Sequence, residues 1–269
     1  MDILTHTISG LAIGTIVASF QHEKFLKKAD IILLSGFGGA IPDLDAISLW
    51  TGFDKTIGKF FKLTHTGKEI YSEKFWYSHH AVMHSIFAGF IIAISIGIIL
   101  YVMERLFFGF RSYRFSKFLD ANILKVTGFF MGFLMHLIGD MPTPSSNWGG
   151  IRLFFPSTSY LGGSGEIWWW NNYDIFLIVS SVFALNLFLI IVRNYKIFNL
   201  RVVTVLILIT GFTWVFWQIK TREFNFAYSG HSDKFQFYET KSKELQKNIL
   251  GEKLFKLMEK FDNKIKVSF

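Results

Sequence analysis

A histidine and an aspartate, His136 and Asp140, lie four residues apart in a stretch that is otherwise apolar enough for a lipid bilayer. Residues at i and i+4 share one face of an α-helix, so this imidazole and this carboxylate can bind one metal ion together, or two adjacent ions. An ionisable side chain at membrane depth is costly and is a functional candidate by default. A purely structural pairing of the two side chains is the alternative that their spacing leaves open.

Three further short stretches carry unusual polar residues. They are His6 in "MDILTH", Asp43 and Asp45 in "IPDLD", and His79, His80 and His84 in "YSHHAVMHS". His80 and His84 repeat the four-residue spacing, whereas His79 and His84 can share a metal only if a helix begins between them. Pro42 interrupts helical hydrogen bonding just before the two aspartates, so both carboxylates can turn inward.

The elements that must position these residues are membrane helices. Hydrophobic residues make up 51% of the 269 residues, which is too apolar for an ordinary soluble domain. About six apolar segments have spanning length, at 3–20, 29–50, 85–103, 122–139, 175–192 and 202–219. The predicted fold class is therefore all-α, a polytopic membrane protein of about six transmembrane helices.

In a chain with six spans, the four polar stretches all lie near the membrane face on which the N-terminus lies. This shared depth predicts a metal site. The chain has no cysteine, so nitrogen and oxygen atoms must supply every ligand. Lysine and arginine are more numerous in the short loops of the opposite side, which places that side in the cytoplasm and the site on the non-cytoplasmic side.

The last fifty residues, 220–269, are predicted to form a soluble appendage to a transmembrane domain at 1–219. Apolar and polar residues alternate in "REFNFAY" and in "KFQFYE", with "SGHSD" between them, which predicts a β-hairpin. Apolar residues at helical spacing over 245–261 predict an amphipathic helix after the hairpin. This helix either packs on the body of the protein or adsorbs to anionic lipid.

Four blocks of the sequence, taken in order, resemble the motifs of the bacterial membrane-bound metal-dependent hydrolase family, one branch of which is regulated by the LexA repressor. The blocks are "MDILTHTISGLAIG", "IPDLD", "HHAVMHS" and "HLIGDMPTPSSNWGGIRLFFP", within about residues 1–175. The site residues that the resemblance implies are His6, Asp43, Asp45, His79, His84, His136 and Asp140. His80 stands where the family has an arginine, and Asn172 or Asp174 stands where it tends to have an aspartate.

These observations predict a hydrolase, similar to a phosphodiesterase or phospholipase, that acts on a phosphoester or ester of a membrane lipid or a lipid-linked substrate. The expected cofactor is one or two divalent ions, zinc with manganese or iron as alternatives. The expected metal ligands are His6, Asp43, His79, His84, His136 and Asp140. The expected catalytic residues are Asp45, Asp43 and His80, and the expected substrate-binding residues are Arg152 and Asn172. No nucleic-acid partner is expected. A structural metal site without activity, and a transporter, are the alternatives.

Overall fold

The computed structural model describes residues 1–22, 25–108, 115–192, 199–228, 230 and 234–265, and the described part is almost entirely helical. The α-helices are α1 (Ile3–Ser19), α2 (Phe25–Ala40), α3 (Lys59–Phe61), α4 (Gly67–Ser72), α5 (Ile86–Phe108), α6 (Phe115–Asp140), α7 (Tyr173–Ile191), α8 (Leu200–Lys220) and α9 (Phe235–Ile265). Short 3₁₀ segments occupy Ile41–Leu49 and Val82–His84, and a π-helical turn occupies Asp54–Gly58.

Five stretches among the described residues are helical, long and apolar enough to cross a membrane. They are Phe25–Leu49, Ile86–Phe107, Phe118–Asp140, Tyr173–Ile191 and Leu200–Lys220. The sixth expected span is not confirmed, because helix α1 is apolar but only 17 residues long. The sidedness of the site stays a prediction from loop charge, and several of the loop residues behind it, such as Lys24, Arg111 and Arg193, lie outside the described residues.

Helix α1 lies at the centre of the bundle, against α2, α6, α7 and α8. Small residues make this possible. A Cβ atom at Gly10 would lie 2.5 Å from the carbonyl oxygen of Ser35 in α2, and one at Gly132 of α6 would collide with the same oxygen. Three helix backbones therefore meet around Ser35. This close packing holds the N-terminal end of α1 and the C-terminal ends of α2 and α6 beside one another.

The predicted β-hairpin is wrong, because the described residues contain no strand there. Phe226 is fully buried, and its amide donates to the carbonyl oxygen of Gly165 in the loop after α6. The second half of the expected hairpin instead begins α9, which covers the predicted amphipathic helix. Burial of aromatic side chains against the loop outweighs the local alternation of the sequence. The expected turn at 229–233 lies outside the described residues except for Gly230.

Candidate metal centre

His136 lies one turn before the end of α6 and is completely buried. Its Nδ1 lies 2.7 Å from the carbonyl oxygen of Gly39, which can only accept a hydrogen bond, so Nδ1 carries the proton. The other ring nitrogen, Nε2, faces Asp140, whose Oδ2 is 3.0 Å away. The pair predicted from the four-residue spacing is therefore formed, with Nδ1 used for the backbone and Nε2 left for a metal.

His84 and Asp43 complete a group of four ligand atoms that all lie within 4.8 Å of one another. The Nε2 atom of His84 lies 3.2 Å from that of His136 and 3.5 Å from Asp140 Oδ2. Asp43 Oδ1 lies 3.5 Å from the Nε2 of His136 and 3.7 Å from the Nε2 of His84. Zinc bonds to nitrogen and oxygen of about 2.0–2.2 Å at tetrahedral angles place ligand atoms roughly 3.3–3.6 Å apart. The four distances above lie within or close to that range, and His136 Nε2 and Asp140 Oδ2, at 3.0 Å, lie somewhat closer together.

The 3₁₀ segment Ile41–Leu49 brings Asp43 and Asp45 to the cluster, with Pro42 in its first turn. Asp45 does not belong to the group of four. Its Oδ1 lies 2.6 Å from Nδ1 of His79, and its Oδ2 lies 3.4 Å from Nδ1 of His84. A carboxylate on the far nitrogen of a histidine orients the ring and makes the near nitrogen a better ligand.

The charge balance of the cluster calls for a cation. Burial by itself lowers the pKa of His84, but the carboxylates of Asp45 and Asp43 outweigh this effect and raise the pKa to about 10. The buried atoms Asp140 Oδ2 and Asp45 Oδ2 face only imidazole nitrogens among the described residues, with His136 Nε2 at 3.0 Å and His84 Nδ1 at 3.4 Å. A buried carboxylate oxygen with so few donors is costly unless a cation is close to it. The residues present therefore fit a divalent metal ion.

His79, His80 and His84 form a second group of three side chains that could hold an ion. His80 has a left-handed backbone, with a φ of 64°, which is uncommon for a residue other than glycine and is one of the strained conformations that functional sites contain. Its Nδ1 lies 3.2 Å from the carbonyl oxygen of Gly150. Burial, reinforced by the nearby His79 and His84, lowers the pKa of His80 well below its ordinary value. The imidazole is therefore neutral and keeps a free Nε2.

His6 lies beside the group of four but is not one of its members. Its ring stacks on His136 at 3.8 Å, and its Nε2 lies 3.0 Å from Asp140 Oδ1. The amino group of Met1 lies 2.8 Å from the same oxygen. Asp140 thus contacts His6 through one oxygen and offers the other to the cluster, and this contact orients the carboxylate.

The side chains of the two expected substrate-binding residues form hydrogen bonds with other residues of the protein. The guanidinium of Arg152 donates to the carbonyl oxygens of Ser157 at 3.0 Å and Pro156 at 3.3 Å. Asn172 donates to the carbonyl oxygen of Trp168 and accepts from Arg222, each over about 2.9 Å or less. Asn172 lines the cavity described below and Arg152 does not. Their role in substrate binding stays a prediction.

A cavity of about 670 Å³ opens onto the cluster and is lined by Asp43, His79, His80 and Asp140. Sequence reasoning missed Tyr71, which also lines it and stacks on His79 at 4.5 Å. Burial raises the pKa of Tyr71, and the carboxylates of the cluster add to this effect, so its hydroxyl is a donor. A sequence signal for the helix that carries Tyr71 was present. The pattern from Thr66 to Glu69 is a capping box, which predicts the start of α4.

Comparison with known families matches residues 1–224 to the YdjM inner membrane protein family. Searches of the curated proteins and of the solved structures found no match. The match supports the expectation of a bacterial membrane protein family and does not address catalysis. The chain belongs to the YdjM inner membrane protein family, and its five candidate spans make it a multi-pass protein of the inner membrane.

Proposed function

We propose that this protein is a membrane-embedded, metal-dependent hydrolase that acts on a phosphoester or ester of a lipid-like substrate. The observation that carries the proposal is the four-atom group formed by Asp43, His84, His136 and Asp140 at tetrahedral spacing, beside a cavity large enough for a substrate. Ligand pockets for small molecules typically measure about 300–1,000 Å³.

The nitrogen and oxygen ligands favour zinc, with manganese or iron as alternatives. A divalent ion held there would polarise a substrate oxygen and lower the pKa of a bound water, which supplies a nucleophile at neutral pH. Asp45 would orient His79 and His84 through their Nδ1 atoms, which makes it a positioning residue. His80 would present its free Nε2 as an acceptor to a water or a substrate hydroxyl in the cavity, since its Nδ1 donates to the carbonyl oxygen of Gly150.

The position of the site supports a lipid-like substrate. Asp43 lies near the end of the candidate span Phe25–Leu49, and Asp140 is the last residue of the span Phe118–Asp140. These span ends favour a site at the depth of the membrane interface, where an amphiphile can reach it from the bilayer. A soluble substrate would need no such placement, and the charged cluster is costly to bury there without a function.

A structural metal site is the second candidate, favoured by the count of four protein ligands. Structural zinc sites are closed by four ligands, whereas catalytic sites keep a position open. Access from the cavity to Asp43 and Asp140 supports catalysis, because an ion there could take a fifth ligand. The cavity is thus the feature that separates the two candidates.

The test is hydrolysis by purified, zinc-loaded protein in nanodiscs. A panel of phospholipids and polyprenyl phosphates is compared with bis-p-nitrophenyl phosphate as a soluble phosphodiester. We expect turnover of at least one lipid and a loss of at least about 100-fold in Asp140→Asn. Full metal content without turnover of any lipid would favour the structural site, and turnover of the soluble compound alone would exclude a lipid-like substrate.

A further inference from the structure

The tail helix α9 lies beyond the residues matched to the family, 1–224, yet it lines the same cavity as the metal-binding group. Its contribution comes from both halves of the helix, with Phe235, Glu239 and Lys243 from the first and Met258, Phe261 and Asp262 from the second. A part of the chain outside the family match therefore shapes the space next to the candidate metal centre.

Buried hydrogen bonds hold the first half of α9 in place. The carboxylate of Glu239 accepts from the indole of Trp168 at 2.8 Å and from the amide of Asn171 at 2.6 Å. The side chain of Gln246 is fully buried and bonds both the backbone amide and the carboxylate of Asp174, at 3.0 and 2.8 Å. The bonds of Gln246 are buried and those of Glu239 are partly buried. Polar groups that lose such bonds are left unsatisfied, so this half of α9 is a fixed wall.

Gly251 allows the second half to return to the cavity. Its φ of 73° and ψ of 160° interrupt the helix. A Cβ atom at Gly251 would meet nothing within 4 Å, so only the backbone conformation calls for glycine. Beyond this kink, Met258 is buried against α7, and the ring of Phe261 lies 6.0 Å from that of Phe176.

Three charged groups of α9 that line the cavity have partners within the protein. Asp262 accepts from the hydroxyl of Tyr173 at 2.8 Å, and Lys243 lies 3.4 Å from Glu239. Apolar side chains make no hydrogen bonds, and three of them line the cavity from α9 and α7, namely Met258, Phe261 and Phe176. Next to a charged centre, the cavity thus has an apolar wall.

We propose that α9 and α7 form the binding wall for one alkyl chain of the substrate, and that Met258, Phe261 and Phe176 set the chain length that fits. The proposal rests on the proposed function, in which the metal centre holds the polar end of the same molecule. It also assigns the substrate class, an amphiphile with an anionic headgroup and at least one alkyl chain.

The test is binding of butyl, octyl and dodecyl phosphate to the full zinc-loaded chain in nanodiscs, corrected for partition into nanodiscs without protein. Wild-type affinity should rise roughly fourfold for each methylene that the wall buries. Met258→Trp fills the cavity and should lower the affinity for octyl phosphate at least tenfold. Leu257→Trp is the matched control, because Leu257 is 62% exposed and does not line the cavity, and it should stay within twofold.

Phe176→Ala provides the opposite change and does not depend on the folding of Met258→Trp. It enlarges the cavity and should extend the gain in affinity from octyl to dodecyl phosphate. The proposal would be contradicted if Met258→Trp and Leu257→Trp changed the affinity for octyl phosphate equally and Phe176→Ala did not change the preferred chain length. Failure of the proposed metal centre can be told apart from failure of the proposed binding wall. If the metal centre is wrong, zinc will not change the affinity for butyl phosphate. The dependence of affinity on chain length reports on the wall in either case.

Discussion

Two clusters of buried polar side chains lie close together in this protein, and they differ in how their charges are balanced. In the latch cluster, defined as Asn172, Asp174, Arg222 and Gln246, both oxygens of Asp174 accept from Arg222 at 2.9 Å, and Oδ1 also accepts from Gln246. The Nε of Arg222 is without a partner among the described residues. The carboxylate itself is fully satisfied.

The metal-binding group has the opposite balance. Asp43, Asp45 and Asp140 surround several imidazoles and, against the lowering effect of burial, raise the pKa of His84 to about 10. Two of their buried oxygens face only imidazole nitrogens among the described residues. A buried ion pair with complete hydrogen bonding needs nothing further, whereas a buried group with surplus acceptors needs a cation. Burial and charge alone therefore do not indicate a metal site. Buried carboxylate oxygens in excess of the available donors do indicate one.

The largest expected effect comes from breaking the latch cluster. Arg222→Met leaves the carboxylate of Asp174 buried and uncompensated, which should lower the free energy of unfolding by about 3–5 kcal/mol. Unfolding by sodium dodecyl sulfate in mixed micelles measures this change. Zinc affinity should stay within twofold, because none of the four ligand atoms belongs to the latch cluster.

Lys220→Met is the control for that variant. Lys220 is half exposed and pairs with Glu166, and an exposed pair contributes about 0–1 kcal/mol. A loss of zinc from Arg222→Met as large as the loss from a ligand variant would contradict the separation of the two clusters.

The next largest effect is expected at the metal-binding group. Asp140→Asn keeps the shape of the side chain but removes a charged ligand, so zinc affinity should fall by more than the 10–100-fold typical of partners outside the ligand set. Competition with a chelating dye measures the affinity. Asp174→Asn is the matched control, since it makes the same substitution at another buried helix end and should leave zinc affinity unchanged. Unchanged zinc content in Asp140→Asn would exclude the group as the metal site.

The smallest effect is expected at Asp45, which contacts the imidazoles and not the ligand positions. Asp45→Asn keeps an acceptor for His79 but removes the charge, so zinc affinity should fall about tenfold. The dye competition and the hydrolysis assay together distinguish three roles. A tenfold loss of zinc affinity makes Asp45 a positioning residue, and a loss equal to that of Asp140→Asn would make it a ligand. Wild-type zinc affinity with lost turnover would make it a general base.

Much of the candidate site is predictable from local patterns. The spacing of His136 and Asp140 predicts a shared helix face, and the structure places Nε2 and Oδ2 3.0 Å apart. Pro42 predicts the break that turns Asp43 toward the cluster, and a 3₁₀ segment begins there. Both predictions succeed because a few neighbouring residues decide them.

Contacts between distant parts of the chain could not be predicted in this way. Asp45 orients His79 across 34 residues of sequence, and Trp168 meets Glu239 across 71 residues. The alternation in 222–228 indicated a strand, but Phe226 is buried against a loop instead. Periodicity records which side chains are apolar and does not record which surface covers them.

The central position of α1 has a consequence for assembly in the membrane. This helix is the first described element to be synthesised, yet three of the helices that surround it, α6, α7 and α8, follow about a hundred residues or more later. Its glycines and its buried His6 offer lipid a poor surface until those helices arrive. Packing of α6 against α1 and assembly of the metal-binding group are therefore the same event, because the last two turns of α6 carry His136 and Asp140 to the end of α1. Helices α7 and α8 then close the bundle around them.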